Sequence, residues 1–453
     1  MDIALSITRF TSNRRKATSN SSFLGRTFSD AIAAVDIQPI QKKMENLMSY
    51  PHRRSEHMFN DIFLPEETLA IRAEAREFAE LKLRPRAHSL NTAPERRDGF
   101  PRELFELMSE AGLYEIPFAS DVGGRGLKYP TLATLVAIEE LAYYSPGAAS
   151  ALYDGQAILV GKTLDRADPA LRQRYLPQLV KGGFVGAFAT SEPEASTDLS
   201  VGSMHSRAER VEGGWVVNAH KRWITNSVAA DLMLLLCRTG DRLTMLCVDM
   251  HASGVSVGEP DLKMGNHAQL TADVHIENVF VADDHVVGEV GGGLRAALGA
   301  LMLGRMGIGA IGVGMAQAAV DFAVDYSSKR KVFGQELARF QHWQFVFAEH
   351  ALGIESARNL YIKAALRYDQ EGQAEVEAAM AKIAGSRLAV DVARDAIQVC
   401  GAYGFVRELK ETSTYFPLES IYRDAKIGEI YEGANEVQRW VVARNLFGRE
   451  LIG

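Results

Sequence analysis

The chain has 453 residues and a net charge of −7, with 47% apolar and 24% charged residues. This length predicts a large core divided into two or three domains. Both signs of charge are spread along the chain, which excludes the concentrated basic face of a nucleic-acid-binding protein. Cys237, Cys247 and Cys400 lie far apart in apolar surroundings. They therefore predict buried reduced thiols, and neither a disulfide framework nor a metal site.

The N-terminal segment is basic and rich in Ser and Thr. Residues 1–28 carry Arg9, Arg14, Arg15, Lys16 and Arg26 against a single acid, Asp2. This composition suits a mitochondrial transit peptide. The plainer interpretation, which we favour, is a disordered extension or a true start at Met44 or Met58. We therefore predict an extension over residues 1–57 and a cytoplasmic protein, with the mitochondrial matrix as the alternative.

Residues 58–181 predict an α-helical domain. Pro65-Glu66-Glu67 has the features of a helix start with an acidic first turn, and apolar residues then recur at spacings of three and four. Helix resumes over Leu132–Leu141, after the glycine-rich break Gly123-Gly124-Arg125-Gly126.

Residues 182–293 predict a central β domain, either a barrel or a sandwich. Gly214–Asn218 reads as a strand, and Val274–Val279 alternates with a period of two. Two apolar runs, Leu232–Arg238 and Leu243–Met250, flank Thr239-Gly240-Asp241, which indicates a hairpin.

Residues 294–453 predict an antiparallel four-helix bundle, so that the whole protein is mixed α and β, and mainly α. Ala296–Val320 is apolar, but Arg305 and Gln317 interrupt it, which favours a helix buried in protein over a membrane span. Gly307–Gly312 matches GxGxxG, a dinucleotide fingerprint that requires a preceding strand. Here it lies within a helical run, so we interpret its small residues as a close helix contact.

Four separated segments form the most specific pattern in the chain. Ala189–Asp198 reads A-T-S-E-P-E-A-S-T-D, Lys221–Ser227 reads K-R-W-I-T-N-S, Tyr326–Gln341 contains Arg330, Phe333 and Gln341, and Gln398–Arg444 contains Q-V-C-G-A-Y-G-F and I-Y-E-G-A-N-E-V-Q-R. Together they resemble the motifs of the FAD-dependent acyl-CoA dehydrogenases. The resemblance extends from about Leu64 to Gly453.

The resemblance implies an activity. Members of this family oxidise the Cα–Cβ bond of an acyl-CoA thioester to the trans-2-enoyl thioester, and FAD accepts the β-hydride at flavin N5. Glu432 matches the base that removes the α-proton. The resemblance further implies a homo-oligomer, most simply a tetramer, and an electron-transfer flavoprotein as electron acceptor.

The resemblance also assigns site residues. Those implied to bind FAD are Phe188, Thr190, Ser191, Trp223, Ile224, Thr225, Arg330, Phe333, Gln341, Gln398, Gly401, Ala402, Ala434 and Glu436. Those implied to bind substrate are Thr197, Arg305, Tyr431 and Gly433. The indole of Trp223 can stack on a flavin ring, and Arg330 suits a phosphate because its guanidinium donates two hydrogen bonds.

The chain departs from the family pattern at several positions. They are Ser196, Ala402 and Ala434, Glu436 where Gln is common, His267 where Arg is usual, and a longer Phe405–Pro417 loop. These departures leave open a same-fold flavoenzyme that acts on a carrier-protein-bound acyl group, or a flavin oxygenase. A non-catalytic scaffold is a further alternative, which the presence of Glu432, Trp223 and Arg330 argues against.

Overall fold

The fold is described from a computed structural model, which describes Arg53 and residues 63–452. The predicted extension over residues 1–57, apart from Arg53, and the alternative start at Met58 lie outside the described residues.

The N-terminal part of the described chain is helical. Its main helices are α1 (Glu66–Phe78), α2 (Ala87–Thr92), α3 (Arg102–Glu110), α4 (Pro130–Ala142), α5 (Ala149–Lys162) and α6 (Pro169–Val180). Helix α1 begins after Pro65, as the sequence predicts. Helix α4 is mostly apolar and is buried along almost its entire length, including its two acids Glu139 and Glu140, as expected for a helix in the core. Helix α5 is wound as a π-helix, a form that is rare and concentrated at functional sites.

The central part is one curled seven-stranded sheet. Its strands are β1 (Gly186–Ala189), β2 (Arg207–Val211), β3 (Gly214–Thr225), β4 (Leu232–Thr239), β5 (Arg242–Asp249), β6 (Val255–Val257) and β7 (Thr271–Ala282). They are ordered β1-β4-β2-β3-β7-β6, with β5 paired to β4. The predicted hairpin is confirmed, since Thr239 pairs with Arg242 across a two-residue turn in which Gly240 has φ +63°.

The C-terminal part is a helical bundle. Its helices are α7 (Gly293–Lys329), α8 (Gln341–Glu371), α9 (Glu375–Cys400), α10 (Leu418–Ile427), α11 (Asn435–Phe447) and the short α12 (Arg449–Ile452). Two short ribbons join them, β8 (Lys331–Val332) with β9 (Gln335–Glu336) and β10 (Glu408–Leu409) with β11 (Thr414–Tyr415). The second ribbon accounts for the longer Phe405–Pro417 loop.

The glycine-rich helix α7 is the centre of the core. By length and composition it could cross a membrane, but 72% of its most apolar window is buried inside the protein. A Cβ at Gly309 would lie 2.9 Å from the Ala381 carbonyl oxygen of α9, and one at Gly312 would overlap the backbone of Gly385. The GxGxxG match is therefore a helix-packing stripe, as predicted.

The three cysteines are free and buried, which confirms the prediction of reduced thiols. Burial raises the pKa of Cys237 and of Cys400 to about 12, so both thiols are protonated at neutral pH.

Candidate active site

A cleft opens between helix α5 and the edge of the sheet. Its empty volume is about 390 Å³. The lining residues are Gly155, Leu159, Gly186, Phe188, Thr190, Ser191, Trp223, Ile224, Thr225 and Asn226. All six cofactor residues predicted from the first two motifs, Phe188 to Thr225, are in that set. The structure thus brings two segments separated by some thirty residues to one surface.

Trp223 lies at an irregularity in strand β3. The pairing with β7 shifts register between Lys221 and Ile224, and Trp223 takes φ +57°. A bulge of this kind turns a side chain away from the alternating pattern of the strand. The indole is consequently 54% exposed at the cleft, whereas Ile224 beside it is buried in the sheet core.

A buried ion pair fixes the part of the cleft wall that the Thr190–Ser191 loop forms. Lys221 Nζ lies 2.8 Å from Glu192 Oε1, and both side chains are almost fully buried. Lys221 also donates to the Thr190 carbonyl at 3.2 Å, and the backbone N–H of Arg222 donates to the Ser191 carbonyl at 3.0 Å. These contacts hold the Thr190–Ser191 loop against β3.

We expect Lys221→Met to destabilise the protein. The substitution leaves the Glu192 carboxylate buried without its cation, which typically costs about 3–5 kcal/mol of unfolding free energy. Urea titration measures the loss, and the flavin content of the purified variant should fall with it. Lys410→Met is the matched control, because Lys410 is 85% exposed beside Glu408 and such pairs contribute at most about 1 kcal/mol. Equal losses in the two variants would contradict this role for Lys221.

Glu432 lies on a short loop between α10 and α11. Its backbone is in the left-handed region, with φ +54°, and Gly433 follows with φ +88°. Arg305 Nε donates to the Glu432 carbonyl at 3.1 Å, and Gln438 Nε2 donates to the Gly433 carbonyl at 3.0 Å. A non-glycine residue that holds positive φ is under strain, which is common at active sites.

The far end of the same loop is tied to helix α9. Lys382 Nζ donates to Asn435 Oδ1 at 3.0 Å, and Asn435 Nδ2 donates to Ser386 Oγ at 3.0 Å. All three side chains are buried. The loop that carries Glu432 is therefore anchored at its carbonyls by Arg305 and Gln438, and at its end by Lys382.

The Glu432 side chain packs over a gap in helix α7. A Cβ placed on Gly304 would overlap both Glu432 carboxylate oxygens, so any larger residue there would displace this side chain from its position. Glu432 Oε2 is buried without a hydrogen-bond donor among the described residues. Burial raises the pKa of Glu432 to about 7, although Arg305 and Lys382 oppose the rise. A carboxyl group in this state is a stronger base than an exposed one.

Asp154 is a second carboxyl group in this pocket, and the sequence analysis assigned it no role. It lies on helix α5 next to Gly155 of the cleft wall, and a Cβ at Gly307 would overlap its Oδ1. Asp154 thus lies against Gly307 and Glu432 against Gly304, which are one turn apart on α7. The sequence signal was an acid within the apolar run Ala148–Val160. The motifs around Glu432 and Arg305 do not point to it, because Asp154 reaches this place from another helix.

The structure places three of the four predicted substrate residues at Glu432 and the fourth elsewhere. Arg305 is buried and binds the Glu432 loop, and Tyr431 and Gly433 flank Glu432. Thr197, in contrast, is exposed on the loop after the Thr190–Ser191 segment.

The remaining predicted cofactor residues lie outside the cleft of this chain. Arg330, Phe333, Gln341, Gln398, Gly401, Ala402 and Glu436 are exposed, and Ala434 is half-buried. Phe333 is 96% exposed and has φ +50°. The Tyr326 and Tyr403 rings lie 6.0 Å apart, which brings the ends of the Arg330 and Ala402 segments close together. The Arg330–Gln341 and Gln398–Ala402 segments therefore form a second group on the surface.

Comparison with known proteins identifies the family. Family models of the acyl-CoA dehydrogenase N-terminal, middle and C-terminal domains match residues 65–183, 187–279 and 291–447. The mitochondrial short-chain specific acyl-CoA dehydrogenase of Mus musculus is 34% identical over 400 residues, which are 87% of this chain and 93% of the relative. The chain belongs to the acyl-CoA dehydrogenase family.

Solved structures agree with this assignment. Butyryl-CoA dehydrogenase from Megasphaera elsdenii superposes with a TM-score of 0.78 at 32% identity, over 84% of this chain and 98% of that one. A chain from the structure described as the electron transferring flavoprotein of Acidaminococcus fermentans gives 0.79 at 32% identity, over 85% and 99%. The protein is an FAD-dependent oxidoreductase that dehydrogenates acyl-CoA thioesters, and the carrier-protein and oxygenase alternatives are not favoured.

The cleft fits the cofactor of this family. An indole as exposed as that of Trp223 offers a flat face to an aromatic ring system. The half-buried hydroxyl groups of Thr190, Ser191 and Thr225 line the same cleft. Thr225 Oγ1 accepts a hydrogen bond from Gln269 Nε2 at 3.0 Å, which orients its hydroxyl.

Proposed function

We propose that Glu432 is the base that removes the α-proton of the acyl-CoA thioester. The observation that carries this proposal is the buried Glu432 Oε2, which has no donor among the described residues and is held over Gly304. A general base needs a pKa near the working pH, and that of Glu432 is raised by burial to about 7. FAD, when bound, supplies the hydride acceptor for the β-hydrogen.

The polypeptide contributes alignment and charge. Arg305 and Gln438 hold the backbone carbonyls of Glu432 and Gly433, which keeps the Glu432 carboxyl group in one place. The cations of Arg305 and Lys382 favour the ionised form of Glu432. Trp223 and the Thr190–Ser191 loop line the cleft. Gly155 lines it as well, and its neighbour along the chain, Asp154, lies in the Glu432 pocket. Such pre-organisation is the main contribution of a protein to a reaction whose redox chemistry belongs to its cofactor.

An anaerobic titration tests the function. We expect the purified protein to be yellow, with about one FAD per chain, and to bleach on addition of an acyl-CoA substrate. A panel of straight, branched and aryl acyl-CoA compounds gives the acyl preference. Flavin absorbance that no member of the panel changes would contradict the proposed activity.

We also propose an electron-transfer flavoprotein as the electron acceptor, supported by the similar chain that comes from a structure described as the electron transferring flavoprotein of Acidaminococcus fermentans. After bleaching, the reduced protein should be reoxidised quickly by an electron-transfer flavoprotein and slowly by oxygen. Fast reoxidation by oxygen alone would instead indicate an oxidase.

We further propose a homo-oligomer, most simply a tetramer arranged as a dimer of dimers. The exposed group around Arg330, Phe333 and Gln341 supports it, because the family resemblance assigns these residues to FAD but they lie outside this chain's own cleft. In a dimer they would contact the FAD of the neighbouring subunit. Light scattering tests the proposal, and an active, FAD-loaded monomer would overturn it.

A further inference from the structure

Asp154 is a fully buried acid without an ordinary partner. The residue is 1% exposed, and neither of its carboxylate oxygens has a hydrogen-bond donor among the described residues. Buried polar groups are almost always hydrogen-bonded, so such an atom requires an explanation. The helix that carries it is anchored on both sides, since Asn226 Nδ2 donates to the Ala151 carbonyl at 2.8 Å and the Gly186 N–H donates to Gln156 Oε1 at 2.8 Å. Its position is therefore fixed by the fold.

The neighbour of Asp154 is the Glu432 carboxyl group, which lies within hydrogen-bonding reach. Glu432 Oε2 also lacks a donor within the described part of the chain. Two ionised carboxylates can only accept, and together they would repel each other in a buried pocket. One proton between them lets one carboxyl group donate to the other, which gives the accepting oxygen its donor and removes the repulsion.

The surrounding charges decide which group holds the proton. Arg305 and Lys382 act on Glu432 and favour its ionised form, whereas none of the described residues brings a cation to Asp154. Burial and the neighbouring Glu432 raise the pKa of Asp154 well above its ordinary value. The phenol of Tyr431, whose pKa burial also raises, stays neutral beside the pair. Asp154 is therefore the neutral member, and its O–H points to Glu432.

We propose that Asp154 is a positioning residue that donates a hydrogen bond from its protonated carboxyl group to Glu432, and so keeps the base ionised and aimed. This inference rests on the proposed role of Glu432 as the base. A donor to a carboxylate favours the charged form. Without this donor, the pKa of Glu432 would rise. A larger fraction of Glu432 would then be protonated at neutral pH and unable to act as the base.

The test compares Asp154→Leu with Asp154→Asn. The rate of flavin reduction by acyl-CoA rises with pH as Glu432 ionises, and its midpoint reports the pKa of the base. Leucine removes the donor, so we expect the midpoint to move about one pH unit upward, equivalent to a rate about tenfold lower below the midpoint. Asparagine keeps an N–H donor of similar shape and should restore the wild-type midpoint.

A control separates this effect from a general loss of buried acid. Asp424 is also fully buried, and burial raises its pKa to about 7, but it accepts from the Asn266 N–H at 2.6 Å and does not act on Glu432. Asp424→Asn should leave the midpoint of flavin reduction unchanged. A shift equal to that of Asp154→Leu would overturn the specific role of Asp154.

Infrared difference spectroscopy observes the proton directly and without turnover. The spectrum of wild type minus Asp154→Asn at neutral pH should contain the C=O band of a protonated carboxyl group. An absent band, or a Leu variant with altered acyl preference and an unmoved midpoint, would overturn the inference. The band could also be present while the rate of flavin reduction does not depend on Glu432. That result would contradict the proposed base and leave the shared proton established.

Discussion

Glu432→Gln should abolish most of the chemistry and leave the protein intact. Glutamine keeps the volume of the side chain and a hydrogen-bonding group but cannot accept the α-proton. We expect flavin reduction to slow by at least ~100-fold, which is the usual contribution of a general base. Acyl-CoA should still bind and perturb the flavin spectrum. Anaerobic stopped-flow absorbance measures both quantities in one experiment.

The stability of this variant follows from the pKa of the residue it replaces. Burial raises the pKa of Glu432 to about 7, so its ionisation destabilises the folded state at pH values above its unfolded pKa of about 4.3. That cost increases with pH until the folded pKa is reached, and glutamine does not have it. The melting temperature at neutral pH should therefore stay constant or rise.

Glu429→Gln is the matched control for the base. Glu429 lies three residues earlier on the same loop and forms an exposed ion pair with Lys426, with a 2.6 Å distance between Lys426 Nζ and Glu429 Oε2. Its substitution should change the rate of flavin reduction less than twofold, because surface pairs contribute little. A Glu432→Gln enzyme that reduces its flavin at the wild-type rate would show that another group is the base.

Local sequence patterns predicted those parts of the molecule that depend on neighbours along the chain. The hairpin around Gly240 follows from its turn residues, and the buried helix Gly293–Lys329 follows from its apolar run. Likewise the Thr190–Ser191 and Trp223 motifs were expected at one site because both resemble flavin-binding motifs of one family. The cleft that they line confirms that they lie together.

The electrostatics of the pocket could not be predicted in the same way. Asp154, Lys382 and Glu432 belong to three separate elements, and only the packing of α5 and α9 on the glycines of α7 brings them together. Nor does the sequence show that Trp223 and Glu432 hold positive φ, because neither residue type favours that region. Both conformations are imposed by their surroundings, a bulge against β7 for Trp223 and the Arg305 hydrogen bond for Glu432.

Gly304→Ala should impair catalysis without replacing any reacting group. The added methyl group would overlap both carboxylate oxygens of Glu432 and force this side chain to move. A displacement of about 1 Å at a reacting group can cost about 100-fold in rate, so we expect flavin reduction to slow by roughly 10- to 100-fold. Thermal stability should not fall, because alanine favours a helix interior over glycine by about 1 kcal/mol.

Gly299→Ala separates the displacement of Glu432 from a general change in helix α7. A Cβ at Gly299 would meet only the end of the flexible Arg166 side chain, at 2.9 Å, so this variant should gain the same helix stabilisation and keep its rate. The decisive measurement is the double variant Gly304→Ala with Glu432→Gln. If the methyl group acts only by moving the base, it should add nothing once the base is absent, since residues that act as a unit are not additive. A further tenfold loss in the double variant would show that Gly304→Ala disturbs the substrate or the flavin cleft instead.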